Sequence, residues 1–144
     1  MSIEYHQVPG TSLNFLLMRL IEQYKKHGKL VIAYDIDDTV RPCYCDDCSE
    51  IKALLRMARD IIDAYFIVYT SNPDIKEVKR YLTEQDIPYD AINENAPFVP
   101  FKDGKIFYNI LLDDKAGLAQ AASNLKDLLY MVKYGLISKE RLDV

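Results

Sequence analysis

Short apolar runs rich in β-branched residues, separated by stretches of helical spacing, constrain this chain more than any other feature. Leu30 to Ile36 (LVIAYDI) and Ala64 to Tyr69 (AYFIVY) are continuous hydrophobic runs of the length that a parallel sheet buries. Lys105 to Leu112 (KIFYNILL) is a third strand, ending at Asp113-Asp114, and Tyr89 to Ile92 is a short fourth. Before and between them lie helices. Ser12 to His27 has apolar residues at Leu13, Leu16, Leu17, Leu20, Ile21 and Tyr24, with Thr11 or Ser12 as cap and Gly28 as stop. Glu50 to Ile62 carries Ile51, Leu54, Leu55 and Ala58 on one face. Thr70-Ser71-Asn72 reads as the cap of a third helix reaching about Gln85, with Pro73 in its first turn. Ala116 to Tyr134 is helical in pattern but contains Gly117, Ser123 and Asn124, so one helix and two short ones both fit; Ile137 to Leu142 adds a last turn. This alternation predicts an α/β fold. A mostly parallel central sheet, covered on both faces, has the 30–36 strand in its middle, and a single domain spans residues 1–144.

At 144 residues, 49% apolar and 28% charged, the chain is long and hydrophobic enough to bury its own core. Its formal charge of -4 gives no general attraction to nucleic acid or acidic lipid, so nucleic acid enters only as a substrate. No stretch approaches the length of a membrane span, which leaves no membrane partner. The first residues, MSIEYHQVPG, lack the basic flank and apolar run of a secretory leader. The cysteines, Cys43, Cys45 and Cys48, are odd in number and crowded together, which is no disulfide framework. Together these features predict a cytoplasmic location.

Chemistry is expected beyond the carboxyl ends of the strands, where open parallel sheets bind ligands. Three strands end there in polar clusters: Asp35-Ile36-Asp37-Asp38-Thr39, Thr70-Ser71-Asn72 and Asp113-Asp114-Lys115. A hydroxyl cluster alone is explained as a helix cap, and a lone acidic pair as a turn. Two acidic ends converging on one sheet edge repel each other unless a cation offsets the charge, and Mg²⁺, which takes oxygen ligands, suits that place. Period-two geometry predicts that Asp35 and Asp37 share a side.

Asp35-Ile36-Asp37-Asp38-Thr39 resembles the DxDx[TV] signature of the haloacid dehalogenase (HAD) superfamily of phosphohydrolases. The later motifs follow in order from Leu30 to Gly117: a Thr/Ser after the second strand, a basic residue, then an acidic pair. The resemblance implies a three-layer, Rossmann-like sandwich and a Mg²⁺-dependent phosphatase acting through an aspartyl-phosphate. It implies Asp35 as nucleophile, Asp37 as general acid/base and Thr70 as a hydrogen-bond partner of the phosphoryl group, with Ser71 and Asn72 beside it. Asp35, Asp113, Asp114 and the backbone carbonyl of Asp37 would hold Mg²⁺. The basic residue departs from the pattern, since the family commonly places it further upstream; Lys105 is preferred over Lys102 and Lys115 because it opens the strand leading to Asp113. Short connections after the first and third strands resemble the capless arrangement, without a separate cap domain. The implied substrate is a phosphorylated small molecule or the phosphorylated end of a macromolecule.

The loop 40–49 lies where the family places its flap. Arg41 is placed to reach a substrate phosphate, and Tyr44 to stack on a ring. Cys43, Cys45 and Cys48 suit a Zn²⁺ site completed by Asp46, Asp47 or His27, a plain reduced loop, or a redox switch. Tyr34, Tyr65, Tyr69 and Tyr108 fall within strands and are expected in or at the core. The rival readings are a phospho-receiver domain, a silent metal-binding interaction module, and a phosphotransferase with an acceptor other than water.

Overall fold

The computed structural model describes residues 12–45, 47–100 and 104–140. Strands β1 (Val31–Tyr34), β2 (Tyr65–Val68), β3 (Ala91–Ile92) and β4 (Ile110–Leu112) accompany helices α1 (Ser12–His27), α2 (Ser49–Ile62), α3 (Ile75–Glu84) and α4 (Leu118–Lys133). The strands form one all-parallel sheet in the order β3-β2-β1-β4. The fold is α/β, as the alternation predicts, and β1, buried along its whole length, lies inside the sheet. No helix among the described residues is long and apolar enough to cross a membrane.

Side chains alternate across the sheet. Ile32, Tyr34, Phe66, Val68, Ile110 and Leu112 join the helices in the main core, where they meet Leu20 and Tyr24 of α1, Leu54 and Leu55 of α2, Val78 and Leu82 of α3, and Leu125, Leu128 and Leu129 of α4. Val31, Ala33 and Ile67 enter a second, smaller cluster with Ala96 and Val99, against which Ile106, Phe107 and Tyr108 pack. The connection from β3 to β4 has to travel from one sheet edge to the other. A right-handed crossover carries it over the face opposite α2 and α3. Among the described residues, the third layer of the sandwich is therefore irregular chain.

Helix α3, the last turn and strand β4 differ from the expectation, and α4 is resolved between its two alternatives. Helix α3 starts at Ile75, and its cap is Asp74, whose carboxylate accepts the Glu77 N–H at 3.2 Å. Asn72 instead closes a turn by accepting the Asp74 N–H at 2.9 Å, and the Thr70–Asn72 cluster stays at the strand end. Helix α4 is continuous through Ser123 and the buried Asn124, with Gly117 outside it at a left-handed φ of 70°. Residues 137–140 are not helical, while Thr11 and residues 141–142 lie outside the described residues.

Strand β4 begins only at Ile110, because Asn109 takes over the pairing with β1. Its backbone N–H donates to the Val31 carbonyl at 2.8 Å, and its side-chain oxygen accepts the Val31 N–H at 2.7 Å. Its amide nitrogen also donates to Gln23 of α1 at 3.1 Å. Asn109→Ala leaves the Val31 N–H without that partner and should cost about 1–3 kcal/mol. The expected result is a lower urea midpoint at unchanged m value; an unchanged midpoint would show that the bond contributes nothing.

Candidate functional site

The register of the sheet sets the level at which each polar strand end emerges. Tyr34 pairs with Val68 on one side and Leu112 on the other, and Val68 pairs with Ile92. The next residues, Asn93, Tyr69, Asp35 and Asp113, therefore line up in that order across the carboxyl edge. Backbone hydrogen bonds continue the ladder at this level: Asp35 N–H to Leu112 O at 3.0 Å, Tyr69 N–H to Tyr34 O at 2.8 Å, and Asn93 N–H to Val68 O at 2.8 Å. A cleft of about 490 Å³ opens above them, lined by Asp35, Tyr69, Thr70, Ser71, Asn93, Ile106, Asp113 and Lys115.

Asp35, Asp113 and Asp114 bring carboxylate oxygens within 4.8 Å of one another. Among the described residues this is the one group of three or more acidic, histidine or cysteine side chains close enough to share a cation. Asp35 and Asp113 are half-buried and Asp114 is exposed. Burial, the largest cause, pushes the Asp35 carboxyl up to about 6; the negative charge of Asp113 and a side-chain hydrogen bond to Asp114 add to it, against an opposing bond from the Ile36 backbone. The trio is thus a set of hard oxygen donors in partial excess of negative charge, a chemistry that fits Mg²⁺. One oxygen of Asp113 is also fixed by the Lys115 N–H at 2.9 Å.

Asp37 does not join this trio. Its carboxylate is turned to Arg41, whose Nε and terminal nitrogen both lie 2.9 Å from one oxygen. The expectation that Asp35 and Asp37 share a side fails because the strand has already ended at Tyr34. Arg41 is fully engaged as well: it bonds Glu77 at 3.0 Å and lies 5.3 Å from the centre of the Tyr81 ring. Burial works against its charge, but Asp37 and Glu77 outweigh that and hold its pKa above the usual value. It does not line the cleft. Nor does Asn72, which donates to Glu77 at 3.4 Å and accepts the Asp74 N–H at 2.9 Å.

Thr70 and Ser71 do line the cleft, and the Thr70 hydroxyl accepts the Asn72 N–H at 3.1 Å. Lys105 is exposed, does not open a strand and does not line the cleft, whereas Lys115 does. Lys102 lies outside the described residues. The three cysteines do not form a ligand group: Cys45 and Cys48 place their sulfurs 3.4 Å apart, while Cys43 interacts with Asp37. Asp47 is occupied by Ser49, whose N–H and hydroxyl it accepts at 2.8 and 3.0 Å, and Asp46 lies outside the described residues.

Four residues gain roles that the sequence reading did not assign. Thr39, fully buried, accepts the Asp114 N–H at 3.2 Å and so bolts the loop after β1 to the loop after β4. Asp38, at a left-handed φ of 60°, accepts the N–H groups of Cys43, Tyr44 and Cys45 at 2.9, 2.7 and 3.0 Å. Those bonds, led by Cys45, hold its carboxyl below the usual range. Asn93 clasps the Thr70 backbone, accepting its N–H at 3.0 Å and donating to its carbonyl at 2.7 Å. Tyr69, expected at the core, is 45% exposed and walls the cleft, since it stands one residue past the end of β2. Counting strand register from Asp35 is the signal that would have found Tyr69 and Asn93.

No protein-family model, curated protein or solved structure matches this chain.

The raised Asp35 pKa has a definite sign for stability. The folded, metal-free protein holds this proton up to about pH 6 while the unfolded chain releases it near 3.8, so stability falls as pH rises through that window. At full desolvation the loss would be about 3 kcal/mol, and solvent screening at the open cleft reduces it to about 1 kcal/mol. Asp35→Asn should therefore raise the Tm in EDTA at pH 7.5 and lose that advantage at pH 4. Thermal melts of both proteins check this, and parallel pH profiles would refute it.

Proposed function

We propose that this chain is a Mg²⁺-dependent phosphomonoester hydrolase that forms an aspartyl-phosphate on Asp35. The observation that carries this reading is the convergence of Asp35, Asp113 and Asp114 within 4.8 Å, beside a cleft lined by Thr70, Ser71 and Lys115. The resemblance of Asp35–Thr39 to the HAD signature supports the same roles. Asp35, Asp113 and Asp114 would hold the ion, with the Asp37 carbonyl as a further oxygen. Bound Mg²⁺ supplies the charge neutralisation that lets an anionic ester approach a carboxylate.

Each residue then has a defined task. The Asp35 oxygen attacks phosphorus in line, and the ester oxygen departs. Lys115 attracts the phosphoryl oxygens, in preference to Lys105, because it lines the cleft. The hydroxyls of Thr70 and Ser71 orient the same oxygens, with Thr70 held in place by Asn93. Asp37 protonates the leaving group and then takes a proton from the water that hydrolyses the aspartyl-phosphate. Both transfers require its carboxylate to leave Arg41. The short connections after the first and third strands leave no segment of cap size, which suits a phosphorylated small molecule or the phosphorylated end of a macromolecule.

The Arg41–Asp37 ion pair also favours a second reading. With its acid/base held away, the chain would accumulate phosphoprotein and release phosphate slowly, as a receiver or a phosphotransferase does. Acetyl phosphate separates the two: a lasting stoichiometric phosphoprotein favours the second reading, and rapid inorganic phosphate favours the hydrolase.

With p-nitrophenyl phosphate, activity should need Mg²⁺ and vanish in EDTA. Asp35→Asn should lower kcat at least about a thousandfold. A variant that retains full turnover would remove Asp35 from the mechanism.

A further inference from the structure

We propose that Cys45 and Cys48 are an oxidation site that closes into an intramolecular disulfide by exchange with a small disulfide such as oxidised glutathione. This stands independently of the phosphatase reading. The two sulfurs lie 3.4 Å apart, and a movement of about 1.4 Å brings them to bonding distance. Each is positioned from a different side. Cys45 belongs to a loop hung on Asp38, whose carboxylate accepts the N–H groups of Cys43, Tyr44 and Cys45. Cys48 stands at the start of α2, where its carbonyl accepts the Lys52 N–H at 3.1 Å. The third thiol, Cys43, interacts with Asp37, and the Cys45 thiol, besides meeting Cys48, reaches the Asp38 carboxylate.

Exposure sets the order of events, for Cys45 is open to solvent and Cys48 is buried. Cys45 loses its proton to solvent and its thiolate attacks one sulfur of oxidised glutathione. That S–S bond breaks, and one glutathione leaves as a thiolate that takes up a proton. Cys48 then attacks the Cys45 sulfur, the mixed S–S bond breaks, and the Cys48 proton goes to the departing glutathione, which leaves as a thiol. Two protein thiols are oxidised and one small disulfide is reduced to two thiols. The second step is intramolecular between groups already in contact, which offsets the small thiolate fraction of the buried Cys48. Burial, followed by Cys45, pushes the Cys48 thiol up to about 12, and Cys48 also faces Asp38 and Lys52.

The test treats the full reduced chain with oxidised glutathione, alkylates the remaining thiols and maps them by mass spectrometry. The expected product is lighter by two hydrogen atoms, carries no glutathione, and has Cys43 alkylated. Cys48→Ser should retain one glutathione on Cys45. Cys43→Ser, a change at an exposed position, should close the bridge like the parent chain, which keeps the test valid if Cys48→Ser does not fold. An unreacted chain, a persistent glutathione adduct on the parent, or a bridge that includes Cys43 would overturn the proposal.

Discussion

Hydrogen bonding along the parallel ladder forces like charges together at one end of this sheet, and the rest of the site follows from that. The Asp35 N–H donates to the Leu112 carbonyl, so the residues that follow β1 and β4 emerge side by side whatever their charge. The buried strands behind them cannot slip, because a shift of one residue would exchange the main-core face of β1 for the face that meets Ala96 and Val99. Packing of the apolar runs thus fixes the carboxylates; burial first, and the charge of Asp113 after it, push the Asp35 carboxyl up.

The five residues from Asp35 to Thr39 distribute their side chains in five directions. Asp35 faces the cleft, Ile36 enters the main core, Asp37 meets Arg41, Asp38 holds the cysteine loop, and Thr39 turns back to Asp114. Such a spread is possible because the chain leaves the strand at Asp35 and turns tightly. The N–H groups of Thr39, Val40 and Arg41 all reach the Ile36 carbonyl, at 3.3, 2.9 and 2.9 Å. One short segment thereby couples the acidic trio, the loop and, through Arg41 and Glu77, helix α3.

The elements that pack were legible in the sequence, because apolar periodicity and burial are the same physical fact seen twice. β1, β2, α1 and α2 fall close to where the pattern puts them, and the meeting of Asp35 with Asp113 follows from the parallel order. What escaped depends on chain that leaves a regular element. Period-two reasoning carried Asp37 to the side of Asp35, one residue beyond where the period applies. The cap of α3 lies at Asp74, whose carboxylate takes the Glu77 N–H, while Asn72 is spent on a turn to the Asp74 N–H. Lys105 was tied to a strand that in fact starts at Ile110, after the side chain of Asn109 has replaced a rung of the ladder. Tyr69 reads as another apolar residue of AYFIVY, yet it stands past the last paired position. The single helix α4 was equally hidden, since the breaking tendency of Ser123 and Asn124 is outweighed by the buried Leu125, Leu128 and Leu129.

Charge balance gives the proposed chemistry its last constraint. Lys115 is the one cation lining the cleft among the described residues, against the three carboxylates of the trio, so the ionised site carries two negative charges in excess. A phosphomonoester brings further negative charge and would be repelled from that edge. Arg41 cannot correct the imbalance where it stands, because Asp37 and Glu77 already neutralise it. A single divalent cation removes the excess and brings the site close to neutrality. Protonation of Asp35 removes only part of it and also silences the nucleophile. Within the proposed function, an ion held by the trio would offset the repulsion and draw the Asp35 pKa back down, so that the nucleophile would stay ionised below about pH 6 as well.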